Sequence, residues 1–184
     1  MQDNLTRLSK VLAKALRHKP EFIGITIERL GAWTDVDGLI SAMCEHGFSI
    51  DMPTLEQIVA TDGKQRYSFT PDKRKIRANQ GHSIDVVIDF REPEPPAVLY
   101  HGTAAKNTDS IMREGIKHMN RRYVHLSWDI PTAVKVGIRH GKPAVLAVDA
   151  AAMYADGYRF FLSDNSVWLT EYVPPKYISM ADMK

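Results

Sequence analysis

The stretch Asp62–Ala78, DGKQRYSFTPDKRKIRA, decides how the first half of the chain is read. Asp62-Gly63 is a turn dipeptide, Arg66-Tyr67-Ser68-Phe69 alternates polar with apolar, Pro71-Asp72 turns the chain again, and Lys75-Ile76-Arg77-Ala78 alternates once more. Alternation with period two, bounded by turn residues, predicts the two strands of a hairpin. From Lys64 to Arg77 there are six cations (Lys64, Arg66, Lys73, Arg74, Lys75, Arg77) and one anion, Asp72. The hairpin is therefore a local basic patch, suited either to solvation or to phosphate binding, and charge alone does not choose between them.

Upstream, Leu5, Leu8, Val11, Leu12, Ala15 and Leu16 recur at three- and four-residue steps with Arg7, Lys10 and Lys14 between them. That spacing is the stripe of an amphipathic helix, with Asp3 or Asn4 as its cap. Pro20 cannot continue it, so Arg17, His18 and Lys19 fall in the last turn or just beyond. A second helix is expected from near Asp35 to Glu45, closing at Gly47, and a third from a first turn at Pro53 to about Ala60. Three helices followed by a basic hairpin describe a winged-helix-like lobe. Downstream, Arg91-Glu92-Pro93-Glu94-Pro95-Pro96 has three prolines in six residues and reads as a stiff linker, dividing a lobe of residues 1–92 from one of residues 93–184. The second half alternates short β-rich runs (98–100, 123–126, 144–148, 159–162, 167–170) with two or three helical stretches. The fold class is thus α+β, with a sandwich in the second lobe.

Composition narrows the function classes. Of 184 residues 44% are hydrophobic and 25% charged, which excludes a disordered or fibrous chain. No apolar run approaches the roughly 18 residues that span a bilayer, and MQDNLTRLSK lacks the apolar core of a secretory signal. A cytoplasmic protein with no membrane partner is expected. The single cysteine, Cys44 in ISAMCEHGF, forms no internal disulfide and is expected to pack plainly. No heptad seam is present, so a monomer is expected. The absence of GxGxxG, Walker, HExxH and GxSxG patterns removes the common dehydrogenase, NTPase, zinc-protease and serine-hydrolase readings. The histidines are not spaced as metal ligands, and no metal is expected.

Arg17-His18, Arg66 and Arg121-Arg122 offer cations for one phosphate, and arginine suits that task because its fork donates two parallel hydrogen bonds and stays charged. Cations at a helix C-terminus are also stabilised by the macrodipole, which is the structural reading of Arg17-His18. Tyr100-His101-Gly102-Thr103 is expected to end a strand and open a helix, with bare backbone at Gly102 able to approach a nucleotide. A buried, hydrogen-bonded His101 beside a turn glycine is its structural alternative. His125-Leu126-Ser127 repeats the theme on a second strand, with His125 and Ser127 on one face.

The blocks LSKVLAKALRHKP, DGKQRYSF, IRANQGHS, LYHGT, NRRYVHLS and VGIRHGKP occur in this order over nearly the whole chain. Together they resemble the KptA-type RNA 2′-phosphotransferases. The resemblance implies an N-terminal winged-helix RNA-binding lobe, a C-terminal lobe of the ADP-ribosyltransferase fold, and an active site in the cleft between them. It implies a catalytic group of Arg17, His18, Arg66 and Arg121, with Arg122 and Arg139 as competing choices for the last arginine. It assigns NAD to His101, Gly102, Thr103, His125 and Ser127, with Arg139 on the pyrophosphate or a nearby phosphate. Gln80, His82 and Arg74 are expected on the RNA side, and Glu171 is not expected to act. The implied reaction consumes NAD and removes an internal 2′-phosphate from a tRNA-like RNA, with tRNA splicing as one family context. It passes through a 2′-phospho-ADP-ribosylated RNA and yields 2′-hydroxyl RNA, nicotinamide and ADP-ribose 1″,2″-cyclic phosphate. The alternative is an ADP-ribosyltransferase acting on nucleic-acid termini or protein.

Overall fold

Burying the Leu5–Leu16 stripe drives the first helix. The computed structural model of the chain describes residues 2–182, and α1 spans Gln2–Arg17. Leu5, Leu8, Leu12, Ala15 and Leu16 are buried, while Thr6, Arg7, Lys10 and Lys14 are exposed. Because the helix already includes Gln2, Asn4 lies inside its first turn; the side chain of Asp3, the other expected cap, lies outside the described residues. Pro20 starts a short 3-10 turn, Pro20–Phe22, so Arg17 is the last helical residue.

The strand β1 (Thr34–Asp35) leads into α2 (Val36–Glu45), whose first turn is held by Asp35 accepting from the Gly38 N–H at 2.7 Å. Gly47, at φ +79°, takes the left-handed conformation that follows the helix end. Helix α3 (Met52–Thr61) begins where Asp51 accepts from the Thr54 N–H at 2.9 Å, with Pro53 in the first turn. The hairpin strands β2 (Tyr67–Phe69) and β3 (Lys75–Ala78) pair antiparallel, Tyr67 opposite Ala78 and Phe69 opposite Ile76. β1 adds to the free side of β3, giving the order β1-β3-β2. Leu8, Leu12, Leu16, Leu39, Met43, Leu55, Ile58 and Ile76 form one core beneath helices and hairpin. Cys44 departs from expectation: it is exposed on α2, its thiol 3.3 Å from the Ile50 carbonyl.

The chain divides into two units, Met1–Asp89 and Phe90–Lys184. In the second, β4 (Val98–Ala104) is followed by a 3-10 turn (Ala105–Asn107), α4 (Thr108–Glu114) and β5 (Ile116–Lys117). Then come β6 (Val124–Leu126), α5 (Ile130–Gly137), a 3-10 turn (Ile138–His140), β7 (Pro143–Asp149) and α6 (Ala150–Ala155). β8 (Phe161–Leu162), β9 (Trp168–Thr170), β10 (Tyr172–Val173) and β11 (Ile178–Met180) complete it. Three small antiparallel sheets result, ordered β11-β7-β4, β6-β9-β8 and β10-β5. Leu99, Leu126, Leu146, Val148, Phe160 and Trp168 share its core. The chain is therefore α+β with small antiparallel sheets.

Two expectations change here. The His101-Gly102-Thr103 segment does not open a helix, because β4 continues through it to Ala104, paired residue by residue with β7. The proline-rich segment is not a bare spacer either. The Arg91 carbonyl accepts from the Leu162 N–H at 2.8 Å, Glu92 forms an ion pair with Arg159, and Pro95 is buried.

Leu12 is fully buried and Leu30 is 70% exposed. Leu12→Ala is expected to cost about 3 kcal/mol of stability in urea denaturation, and Leu30→Ala less than about 0.5 kcal/mol.

Candidate active site

In the first unit the end of α1 and the start of the hairpin are tied together by the segment that follows β3. The Asn79 N–H donates to the Arg66 carbonyl at 2.8 Å, and the Asn79 side-chain amide donates to the Gln65 carbonyl at 2.7 Å. Four residues on, the Ser83 N–H donates to the Arg17 carbonyl at 2.9 Å, and the Ser83 hydroxyl lies 3.0 Å from His18 Nδ1. Residues 79–83 thus strap Arg66 to Arg17-His18 through backbone contacts, which rigidly fix functional side chains.

Arg17 is buried to 9% exposure and His18 is exposed. Arg66 is half-buried, and its guanidinium Nη1 pairs with the carboxylate of Asp62. Asp62 also accepts from the Arg66 N–H at 2.7 Å, so one carboxylate positions both ends of this residue. Tyr67 reports on both arginines. Burial pushes its hydroxyl up, and its hydrogen bond to Ser9 and the charges of Arg17 and Arg66 pull it down. A cavity of about 370 Å³ is lined by Ser9, Lys10, Asp62, Arg66 and Tyr67 among others.

The other expected RNA-side residues are placed differently. His82 is buried at 4% exposure, and Gln80 is half-buried in the strap. Arg74 is exposed in the hairpin turn, where its N–H donates to Asp72 at 3.1 Å. The length of the hairpin, roughly 15 Å at about 3.3 Å per residue, separates it from Arg66.

In the second unit, β4 and β6 meet through one bridge, Tyr100 and Ser127 exchanging two N–H to carbonyl bonds of 2.8 Å. The bridge sets His101 beside β6, its Nδ1 3.2 Å from the His125 carbonyl, while His125 Nδ1 lies 3.0 Å from the Tyr123 carbonyl. A carbonyl only accepts, so both Nδ1 atoms carry a proton. Burial pushes the His101 imidazole down, the bond to the His125 carbonyl opposes this, and the charges of His140 and Arg121 push it further down. His101 is therefore neutral near pH 7, with Arg121 and His140 close enough to act on it. Arg139 is exposed on the 3-10 turn that also carries His140. Arg122 lines a separate cavity, with Tyr123 and Glu171.

At Gly102 a Cβ would stand 1.8 Å from the Ala133 carbonyl oxygen of α5, so the missing side chain admits the helix backbone on that face of the strand. Thr103 is buried and accepts from the Asn107 amide at 3.3 Å. Asp62, Ser83 and His140 were not singled out in the sequence; a carboxylate four residues before Arg66 was the one local hint. Among the described residues no cluster of three or more His, Cys, Asp or Glu is arranged to hold a metal.

The first unit thus holds an Arg-His pair tied by residues 79–83 to a second arginine, and the second holds two histidines on adjoining strands. A sequence profile described as RNA 2′-phosphotransferase, Tpt1 / KptA family, matches residues 3–172. A protein of Trichormus variabilis named probable RNA 2′-phosphotransferase is 48% identical over 97% of this chain and 98% of its own length. Proteins of the same name from Flavobacterium johnsoniae and Fusobacterium nucleatum are each 49% identical, over 97% and 96% of this chain and 98% of their own lengths. The chain belongs to the RNA 2′-phosphotransferase family and is a transferase.

His101 supplies a pH dependence. Its folded-state pKa lies below the ordinary 6.5, so the stability tied to its neutral form is present above that value and is lost as pH falls below it. Thermal midpoints of the wild type, followed from about pH 8 to about pH 5, should fall more steeply on the acid side than those of His101→Asn.

Proposed function

We propose that this chain is an NAD-consuming RNA 2′-phosphotransferase, with a winged-helix RNA-binding unit and a second unit of the ADP-ribosyltransferase fold. Three helices and a β1-β3-β2 hairpin sheet support the first assignment. Small antiparallel sheets joined at Tyr100–Ser127 support the second. The observation that carries the function is the strap of residues 79–83, which hydrogen-bonds the main chain of Arg17 and of Arg66 and the ring of His18, with Arg66 and Lys10 lining a cavity of about 370 Å³.

The dinucleotide, when bound, supplies a ribosyl carbon from which nicotinamide leaves with the bonding electron pair as the RNA 2′-phosphate oxygen attacks. The donor set fits that group, because His101 and His125 hydrogen-bond sugar hydroxyls, His101 without bringing a positive charge towards an electron-poor carbon. Ser127 and Thr103 flank this pair in sequence, Gly102 admits the supporting helix, and Arg139 is assigned to the pyrophosphate. Arg17, Arg66 and Arg121 hold the phosphoryl oxygens, and their fixed forks place the nucleophile. In the second step a ribose hydroxyl bonds to phosphorus, the phosphorus–oxygen bond to RNA breaks, and RNA regains its 2′-hydroxyl. Cations then neutralise the charge gathering on the phosphoryl group. His18, oriented by Ser83, hydrogen-bonds the phosphate or carries the proton between the two oxygens. A 2′-phosphate is already anionic and needs no general base, so Glu171 is given no part. The RNA partner would be tRNA-like, and the protein a cytoplasmic monomer.

Incubation with NAD and a short RNA bearing one internal 2′-phosphate tests the reading. Nicotinamide, 2′-hydroxyl RNA and ADP-ribose 1″,2″-cyclic phosphate are expected; a stable ADP-ribosyl conjugate would instead indicate an ADP-ribosyltransferase, and unchanged RNA would overturn both. Arg17→Lys, Arg66→Lys and Arg121→Lys should each lower turnover about 10- to 100-fold, because a point charge does not reproduce the fork.

A further inference from the structure

The largest cavity described in the second unit has no part in the scheme above. It measures about 590 Å³ and is lined by Lys117, His118, Met119, Arg122, Tyr123, Glu171 and Tyr172. We infer that it is a subsite for the RNA nucleotide next to the one carrying the 2′-phosphate, an inference that rests on the proposed function.

The walls are built before any ligand arrives. Lys117 and Tyr172 are direct partners across β5 and β10. The Tyr172 hydroxyl donates to the Glu114 carbonyl at 2.7 Å, and Lys117 Nζ lies 2.6 Å from the Glu114 carboxylate. Tyr123 is locked by ring contacts to Phe161 and Phe90, with centroids 5.3 and 5.9 Å apart. The rim is a tight turn in which the Arg121 N–H donates to the His118 carbonyl at 3.1 Å. Met119 holds a left-handed φ of +53° there and is 76% exposed. An apolar side chain displayed to water at an uncommon backbone angle is a feature that packing does not explain.

The chemistry of the lining selects the occupant. Arg122 supplies a cation for a backbone phosphate, with Lys117, itself paired to Glu114, beside it and Glu171 as the carboxylate of the lining. Tyr172 and the polarizable Met119 thioether offer surfaces for a planar base. Glu171 accepts from a sugar hydroxyl or an exocyclic amine. Phosphate, sugar and base together make a nucleotide, and pockets of about 300–1,000 Å³ hold molecules of that size.

Chain adjacency links the cavity to the proposed phosphate ligand: Arg121 is given to the phosphate, and the next two residues, Arg122 and Tyr123, line the cavity. One three-residue segment thus serves the group given to the phosphate and, next to it, a space a polynucleotide would reach one nucleotide along.

Binding of a fluorescent RNA trinucleotide carrying a central 2′-phosphate is compared, without NAD, with binding of a single nucleoside 2′-phosphate. In Arg122→Ala the ratio of the two affinities is expected to fall about tenfold, and the salt slope for the trinucleotide by about 0.7. Met119→Ala, a surface change that leaves the charges intact, should reduce the ratio about threefold. An unaltered ratio in both variants, in a wild type that removes the 2′-phosphate, overturns the subsite and leaves the function standing. Equal loss of NAD affinity in Arg122→Ala assigns the cavity to the dinucleotide and also overturns it. A wild type that releases no nicotinamide from NAD and 2′-phosphorylated RNA overturns the function and this inference with it.

Discussion

The close approach of β4 to α5 at Gly102 governs the second unit. With 1.8 Å between a hypothetical Cβ and the Ala133 carbonyl oxygen, no side chain fits unless the helix retreats. The approach consumes one face of the strand, and pleating then sends His101 and Thr103 to the other. With β7 fully paired on one side, β4 meets β6 on the other through the Tyr100–Ser127 bridge and the His101 ring bonded to the His125 carbonyl. Gly137 repeats the theme on the same helix, with the Thr103 carbonyl 2.8 Å from where its Cβ would be.

The first unit solves the equivalent problem without a glycine contact. Its arginines come from distant parts of the chain, and their positions follow from main-chain hydrogen bonds to one short segment that ends the hairpin. Main-chain contacts survive side-chain variation, so the cations are registered to the fold itself. Ordering the charged groups in advance lowers the entropy lost on binding and favours the transition state over looser encounters.

Local features were legible in the sequence because local physics decides them. The α1 stripe, the Asp35 helix start, Pro53, Gly47 and the strand Lys75–Ala78 all follow from spacing, capping or turn chemistry. What the sequence hid depends on partners far along the chain. Gly102 reads as a turn glycine until Ala133, thirty-one positions later, is seen to occupy its vacant face. Thr103 and Ala104 look like the end of a strand until β7 supplies their hydrogen-bond partners. The proline-rich run has a linker's composition, yet Arg159 and Leu162 give it a seat. Cys44 follows an apolar run, but its position on α2 turns it outward. The RHKP and HLS blocks carry the resemblance; Asp62 and Ser83, which hydrogen-bond Arg66 and His18, carry no comparable signature.

The Asp62–Arg66 pair bears on discrimination. A guanidinium already half-neutralised by a carboxylate of 6% exposure attracts a singly charged phosphodiester only weakly. A terminal phosphomonoester, with close to two negative charges at neutral pH, still outcompetes the resident anion for the remaining fork edge. Every nucleotide of an RNA offers a diester, and very few offer a monoester branch. In the proposed reaction, a standing counter-ion at Arg66 would let the rare dianionic group be found amid a large excess of monoanionic decoys.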